Sequence, residues 1–136
     1  MKNKTFWIGF VAVYVVAQII GYVVHEVVLA DTYAALADIW RPEAEMMNLM
    51  WVMFITSAIY LWAFCYIFTK GYEGKGIMEG VRFGFLMGLF MSVPMAFDSW
   101  VIYPLPLNMA ITWFVTGMVS FIILGAVFSA IYKPGK

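Results

Sequence analysis

Charge, histidine and cysteine are what this chain has least of, and each shortage closes off a class of function. Only 12% of the 136 residues are charged, eight basic against eight acidic, so no net field gathers nucleic acid or acidic substrates. The single cysteine, Cys65, lies in an apolar stretch, which excludes an internal disulfide and any multi-cysteine metal cluster. A lone thiol in such a setting is ordinarily packing. The single histidine, His25, excludes bis-histidine haem ligation within one chain and a multi-histidine zinc site. No phosphate-cradling glycine loop, H-E-x-x-H or nucleophile elbow is present, so no enzyme is predicted. His25 and Glu26 are adjacent and would project about 100° apart on a helix, which rules them out as a dyad.

What is abundant is apolar surface: 65% of the chain is hydrophobic and 19% aromatic, far beyond soluble usage. Four runs are long enough to cross a hydrocarbon layer of about 30 Å, which needs about 20 helical residues. They are Phe6 to Leu29, Met46 to Thr69, Ile77 to Val101 and Leu107 to Tyr132. The sequence therefore predicts an all-α fold, a four-transmembrane-helix bundle forming one integral membrane domain over 1–136. The first run follows Lys2 and Lys4 and reaches Val28-Leu29-Ala30, which resembles a cleavage site. Its length and the His25-Glu26 pair before that point predict an uncleaved helix.

The connections are short. Asp31 is suited to cap a short interfacial helix over Thr32 to Trp40, with Tyr33, Leu36 and Trp40 on one side. Arg41-Pro42-Glu43-Ala44-Glu45 then opens the second long helix with acids at its positive dipole end. Gly71 to Gly76 is a glycine-rich turn, and Pro104 with Pro106 breaks the chain before the fourth helix. Lys2, Lys4, Lys70, Lys75, Arg82, Lys133 and Lys136 fall on one side and Arg41 alone on the other, which predicts cytoplasmic termini in an inner membrane. Glu26, Asp31, Asp38, Glu43, Glu45 and Asp98 make the outer side an acidic rim, with only Glu73 and Glu79 inside. Asn48, Trp51 and Lys70-Gly71 echo Asn108, Trp113 and Lys133-Pro134-Gly135, which suggests a tandem repeat of two helical hairpins.

Helical spacing aligns Tyr14, Gln18, Tyr22 and His25 on the first long helix, Glu45, Asn48 and Thr56 on the second, and Asn108, Thr112, Thr116 and Ser120 on the fourth. One reading is interhelical glue, each contact worth roughly 0.5–2 kcal/mol. The sharper one is an outward-opening hydrated cavity, floored by Gln18, Thr56 and Thr112 and rimmed by His25, Glu26, Glu45, Asn48, Asp98 and Asn108. These six rim residues are the candidate polar, ion or partner site. Two methionine stripes, Met46, Met50 and Met53 and then Met87, Met91 and Met95, have the soft thioethers that hold Cu(I), although methionine is also ordinary filler. Gly80, Gly84 and Gly88 form a small-xxx-small stripe that admits another helix closely, within the chain or between chains.

The stretch Asp31 to Met46, with Ile39-Trp40-Arg41-Pro42-Glu43-Ala44-Glu45-Met46, Lys70-Gly71-Tyr72-Glu73-Gly74 and Glu79-Gly80-Val81-Arg82-Phe83-Gly84, resembles small bacterial four-helix integral membrane proteins of unknown function. That resemblance implies no activity. Small multidrug transporters are similar in size and helix count, but carry an essential glutamate in the middle of the first helix, where this chain has Gln18. Three functions follow from the residues. The favoured one is a non-catalytic accessory or assembly subunit, partnered by lipids and by other membrane subunits or by itself as a homo-oligomer, with no nucleic acid. The second is a small dimeric transporter or channel for cations or small solutes. The third is a haem- or copper-binding protein using His25 with methionines; no cofactor is predicted under the first.

Overall fold

The computed structural model describes residues 3–135, so Lys2 and Lys136, which entered the charge argument, lie outside the described residues. The elements run α1 (Lys4–Tyr22), a π-helical segment (Val23–Val28), α2 (Ala30–Ala35), α3 (Glu43–Lys70), α4 (Ile77–Ile102) and α5 (Leu107–Ile131). There is no strand among the described residues. The four spans Lys4–Val28, Glu43–Lys70, Ile77–Ile102 and Leu107–Ile131 are each long and apolar enough to cross a membrane.

Local chemistry sets the boundaries. Asn3 caps α1 by accepting the Thr5 N–H at 2.9 Å. Pro42 precedes α3, and its carbonyl accepts from Glu45 and Met46, so the helix starts at Glu43, a turn earlier than its apolar run. Gly76, at φ 79°, admits the turn into α4 that a side chain would strain. The interfacial helix expected over Thr32 to Trp40 is shorter, Ala30–Ala35, with turns continuing to Ile39. Beyond Tyr22 the first long helix widens to π geometry, shown by the i to i−5 bond from Leu29 N–H to the Val24 carbonyl at 2.9 Å.

Packing is uneven. At the end where α1 begins and α5 ends, here the termini end, Phe6, Val13, Leu61, Phe64, Cys65, Phe68, Leu124, Phe128 and Tyr132 form one buried core. Most of its ring pairs are edge-on or tilted, as in Phe64–Phe83 at 4.9 Å, Phe68–Phe128 at 5.4 Å and Phe6–Phe128 at 5.8 Å, while Phe128 and Tyr132 stack at 5.4 Å. All four buried residues of α3 lie in this half. From Glu43 to Thr56 every residue but Met50 is exposed, so the other half of α3 is much less covered by its neighbours.

Antiparallel α4 and α5 instead pack along their whole length. Gly80, Gly84, Gly88, Ser92 and Ala96, every fourth residue, are buried against α5. A Cβ at Gly80 would fall on the Gly125 carbonyl oxygen and the Ser129 hydroxyl, and one at Gly125 would fall on the Gly80 carbonyl. A Cβ at Gly84 would meet the Phe121 carbonyl and come within 2.8 Å of the Ile122 Cα. Only glycine lets the two backbones approach so far, and the facing carbonyls suit Cα–H···O contacts of about 0.5–1 kcal/mol each.

The two chain ends are tied together. The Asn3 amide donates to the Lys133 carbonyl at 3.0 Å, the Thr5 hydroxyl donates to the same carbonyl at 2.8 Å, and the Lys133 N–H donates to the Thr5 hydroxyl at 2.9 Å.

Candidate functional site

At the α2 end the polar residues divide into a connected node and a scattered rim. The node is centred on Tyr33, which α2 places between the π segment and α5. The Trp113 indole N–H donates to the Tyr33 hydroxyl at 2.9 Å, and that hydroxyl lies 2.7 Å from His25 Nδ1. Indole is a donor only, so the Tyr33 oxygen accepts from Trp113 and its own proton is available to Nδ1. That arrangement satisfies all three groups with a neutral imidazole protonated at Nε2. The His25 ring stacks on Tyr33 at 5.8 Å and 17°, and Trp40 meets Tyr33 edge-on at 5.6 Å. Burial raises the Tyr33 phenol above its ordinary range; the Trp113 hydrogen bond opposes this, and the Glu26 charge adds to it. The Trp40 indole N–H is buried with no acceptor among the described residues.

The node is thus π segment, α2 and α5 pinned through one hydroxyl. Of the six rim residues, only His25 belongs to it. Glu45 pairs with Arg41 at 3.2 Å, both more than half exposed, and such a pair contributes little. Glu26, Asn48, Asp98 and Asn108 are exposed, on four different elements. Among the described residues no three of His, Cys, Asp and Glu come together as a metal site would need. Of the methionine stripes, Met46, Met53, Met91 and Met95 are exposed, while Met87 packs against the aromatic core.

The hydroxyl rows are satisfied within their own helices. Thr112 donates to the Asn108 carbonyl at 2.8 Å, Thr116 to Thr112 at 2.7 Å, Ser120 to Thr116 at 2.6 Å and Thr56 to Val52 at 2.6 Å. On α1, Tyr14 donates to the Phe54 carbonyl of α3 at 3.2 Å. One turn further along that face is Gln18, half-buried and without a hydrogen-bond partner among the described residues. Tyr22, the next in the stripe, is exposed.

Sequence reasoning missed a second polar centre, at the termini end. Glu79, buried in the first turn of α4, accepts the Glu73 N–H at 2.6 Å with one oxygen and the Lys75 N–H at 2.7 Å with the other. The carboxylate at the third helical position reaches back past the N-cap Gly76 to amides of the preceding loop, so it ties the 71–76 turn to α4. The same loop carries an exposed Lys75–Glu73 ion pair, and Lys75, first by its hydrogen bond and then by its charge, holds the Glu73 carboxyl below its ordinary value. Tyr33 and Trp113 had no signal in the sequence, since 80 residues separate them.

No family model, curated protein or solved structure matches this chain, and the resemblance drawn from its sequence has no counterpart among them.

Proposed function

We propose that the chain is a multi-pass inner-membrane protein with both termini cytoplasmic, acting as a non-catalytic accessory or assembly subunit. In this reading a transmembrane helix of a partner subunit seats in the cleft between α1 and the exposed half of α3. The observation that carries it is Gln18. It lies near the middle of the Lys4–Val28 span, half-buried, with no hydrogen-bond partner among the described residues. In hydrocarbon an unpaired amide costs several kcal/mol by order of magnitude, and a polar group from a neighbouring helix removes that cost.

Two further features support docking. The Glu43–Thr56 half of α3 offers Met46, Met47, Trp51, Met53 and Phe54 exposed, a methionine- and aromatic-rich surface that adapts to a partner. The rest of the bundle gives that partner a fixed seat, since α4 and α5 cannot slide or separate without breaking backbone contacts. The basic residues near the termini end, Lys4, Lys70, Lys75, Arg82 and Lys133, support the orientation.

The test is native electrophoresis of gently solubilised membranes. The chain should migrate in an assembly with other membrane subunits, well above its own 15.5 kDa, and Gln18→Leu should release it while leaving its helix content unchanged. Migration of the unaltered chain alone, or an assembly indifferent to Gln18→Leu, would refute the reading. A reporter fused at the C-terminus should be active only on the cytoplasmic side.

A further inference from the structure

At the termini end, α3 and α4 diverge around the 71–76 loop and leave two adjoining recesses. One, of about 500 Å³, is lined by Gly71, Glu73, Lys75, Glu79, Arg82, Phe83 and Leu86. The other, of about 370 Å³, shares Gly71, Glu79 and Phe83 and adds Ile67, Phe68 and Lys70. We infer that this double recess seats a singly charged anionic phospholipid, with its phosphodiester between Lys70 and Arg82 and an acyl chain along Ile67, Phe83 and Leu86.

The charges of the lining are unequally occupied. Both Glu79 oxygens are taken by loop amides, and Glu73 is paired with Lys75. Arg82 is exposed with no hydrogen bond or ion pair among the described residues and acts on Glu73 only through its charge, and Lys70 Nζ lies 4.7 Å above the Tyr66 ring, partnered by a π face and not by an anion. Three formal positive charges against two negative leave one in excess, which matches a phosphodiester.

The remainder of the lining selects the ligand class. Free phosphate would satisfy the two cations and leave Ile67, Phe83 and Leu86 uncovered, whereas an uncharged lipid would do the reverse. An amphiphile with an anionic head satisfies both. The seam itself needs a filler: α3 meets α4 mainly through Phe83, at 4.9 Å from Phe64 and 5.4 Å from Phe68. A chain lying beside Phe83 would extend that contact, as small-residue packing does for α4 and α5.

This inference rests on the membrane location proposed above and is independent of the docking cleft, which is at the opposite end. Recovery in the carbonate-washed membrane pellet is therefore read first; a chain released to the soluble fraction would fail the membrane reading before any lipid is measured. The full chain is then purified in uncharged detergent and titrated with phosphatidylglycerol or phosphatidylcholine, with bound lipid counted by native mass spectrometry.

One phosphatidylglycerol should bind per chain in preference to phosphatidylcholine, and binding should weaken as salt rises. Lys70→Gln with Arg82→Gln should weaken it roughly thirtyfold, as expected for two basic contacts. Lys133→Gln, a basic residue of the same end outside the recess, should bind as the unaltered chain does, and inorganic phosphate should not displace the lipid. Should the double variant fail to fold, Arg82→Lys preserves the charge and should keep binding. Equal retention of both lipids, equal loss in Lys133→Gln, loss in a folded Arg82→Lys, or displacement by inorganic phosphate would each overturn the inference.

Discussion

The two halves of this chain are equally apolar and pack in opposite ways. In the hairpin of α4 and α5 the backbones approach closely from Gly80 to Gly88, and burial continues to Ala96, while α1 and α3 share the aromatic core at the termini end and α3 is then largely exposed. Hydrophobicity therefore does not decide how tightly these helices associate. In the membrane setting proposed above a leucine would gain nothing by leaving lipid for protein, so close contact would come from shape and from groups that lipid cannot satisfy. Gly80, Gly84, Gly88 and Ser92 facing Gly117 and Gly125 provide the shape. Along the Glu43–Thr56 half of α3, Trp51, Met53 and Phe54 provide none, and α3 is largely exposed there.

The sharpest test of the contrast is one substitution made in each half. Gly84→Leu drives a side chain into the Phe121 and Ile122 backbone and should cost at least about 3 kcal/mol, the upper end of overpacking penalties, measured by denaturation in mixed micelles. Gly21→Leu on α1 has nothing within 4 Å of its would-be Cβ and should change stability by less than about 1 kcal/mol, in the stabilising direction of helix propensity. Equal losses at the two sites would abolish the distinction.

Next in size is the loop that feeds the tight hairpin. Glu79→Ala strips the acceptor from the amides of Glu73 and Lys75 and should cost about 2 kcal/mol, with faster hydrogen exchange at those two amides and little change along α5.

Tyr33→Phe, which unpins the looser half from α5, should cost about 1 kcal/mol and leave the α4–α5 contacts unchanged. Because burial raises the Tyr33 phenol in the folded state, its contribution is fully present below the ordinary value of 10.0 and lost as pH rises beyond it, when the unfolded chain ionises first. The alkaline loss should be smaller in Tyr33→Phe.

The smallest effect is at Glu73, whose carboxyl should titrate below its ordinary 4.5 by nuclear magnetic resonance. Lys75→Gln should bring it back toward that value with no measurable change in stability.

The four long helices were legible because runs of about 20 apolar residues bounded by Pro42, Gly71, Gly76 and Pro106 have few other ways to fold. The start of α3 at Glu43 was legible too, since Pro42 and the acids Glu43 and Glu45, welcome in a first turn, mark it ahead of the apolar run. Helical spacing also gathered Tyr14, Gln18, Tyr22 and His25 onto one stripe, but the structure gives them separate surroundings. Tyr14 reaches Phe54, Gln18 has no partner among the described residues, Tyr22 is exposed, and His25 is turned to Tyr33 within the π segment. Spacing states which residues share a face and not what the face meets. The glycine stripe shows the same limit, since its spacing is visible in the sequence but the helix that fills it is a tertiary choice.

The knot between Asn3, Thr5 and Lys133 makes the chain nearly a ring. Ring closure over 128 residues costs little more entropy than closure over half that length, since the penalty grows only with the logarithm of the span, and here three hydrogen bonds hold the ends together. Order along the chain is therefore separable from arrangement in space. A circular permutant joined by a short linker across the knot and reopened at Gly74 would place α4 and α5 first in the chain, so that the tightly packed hairpin precedes the looser one.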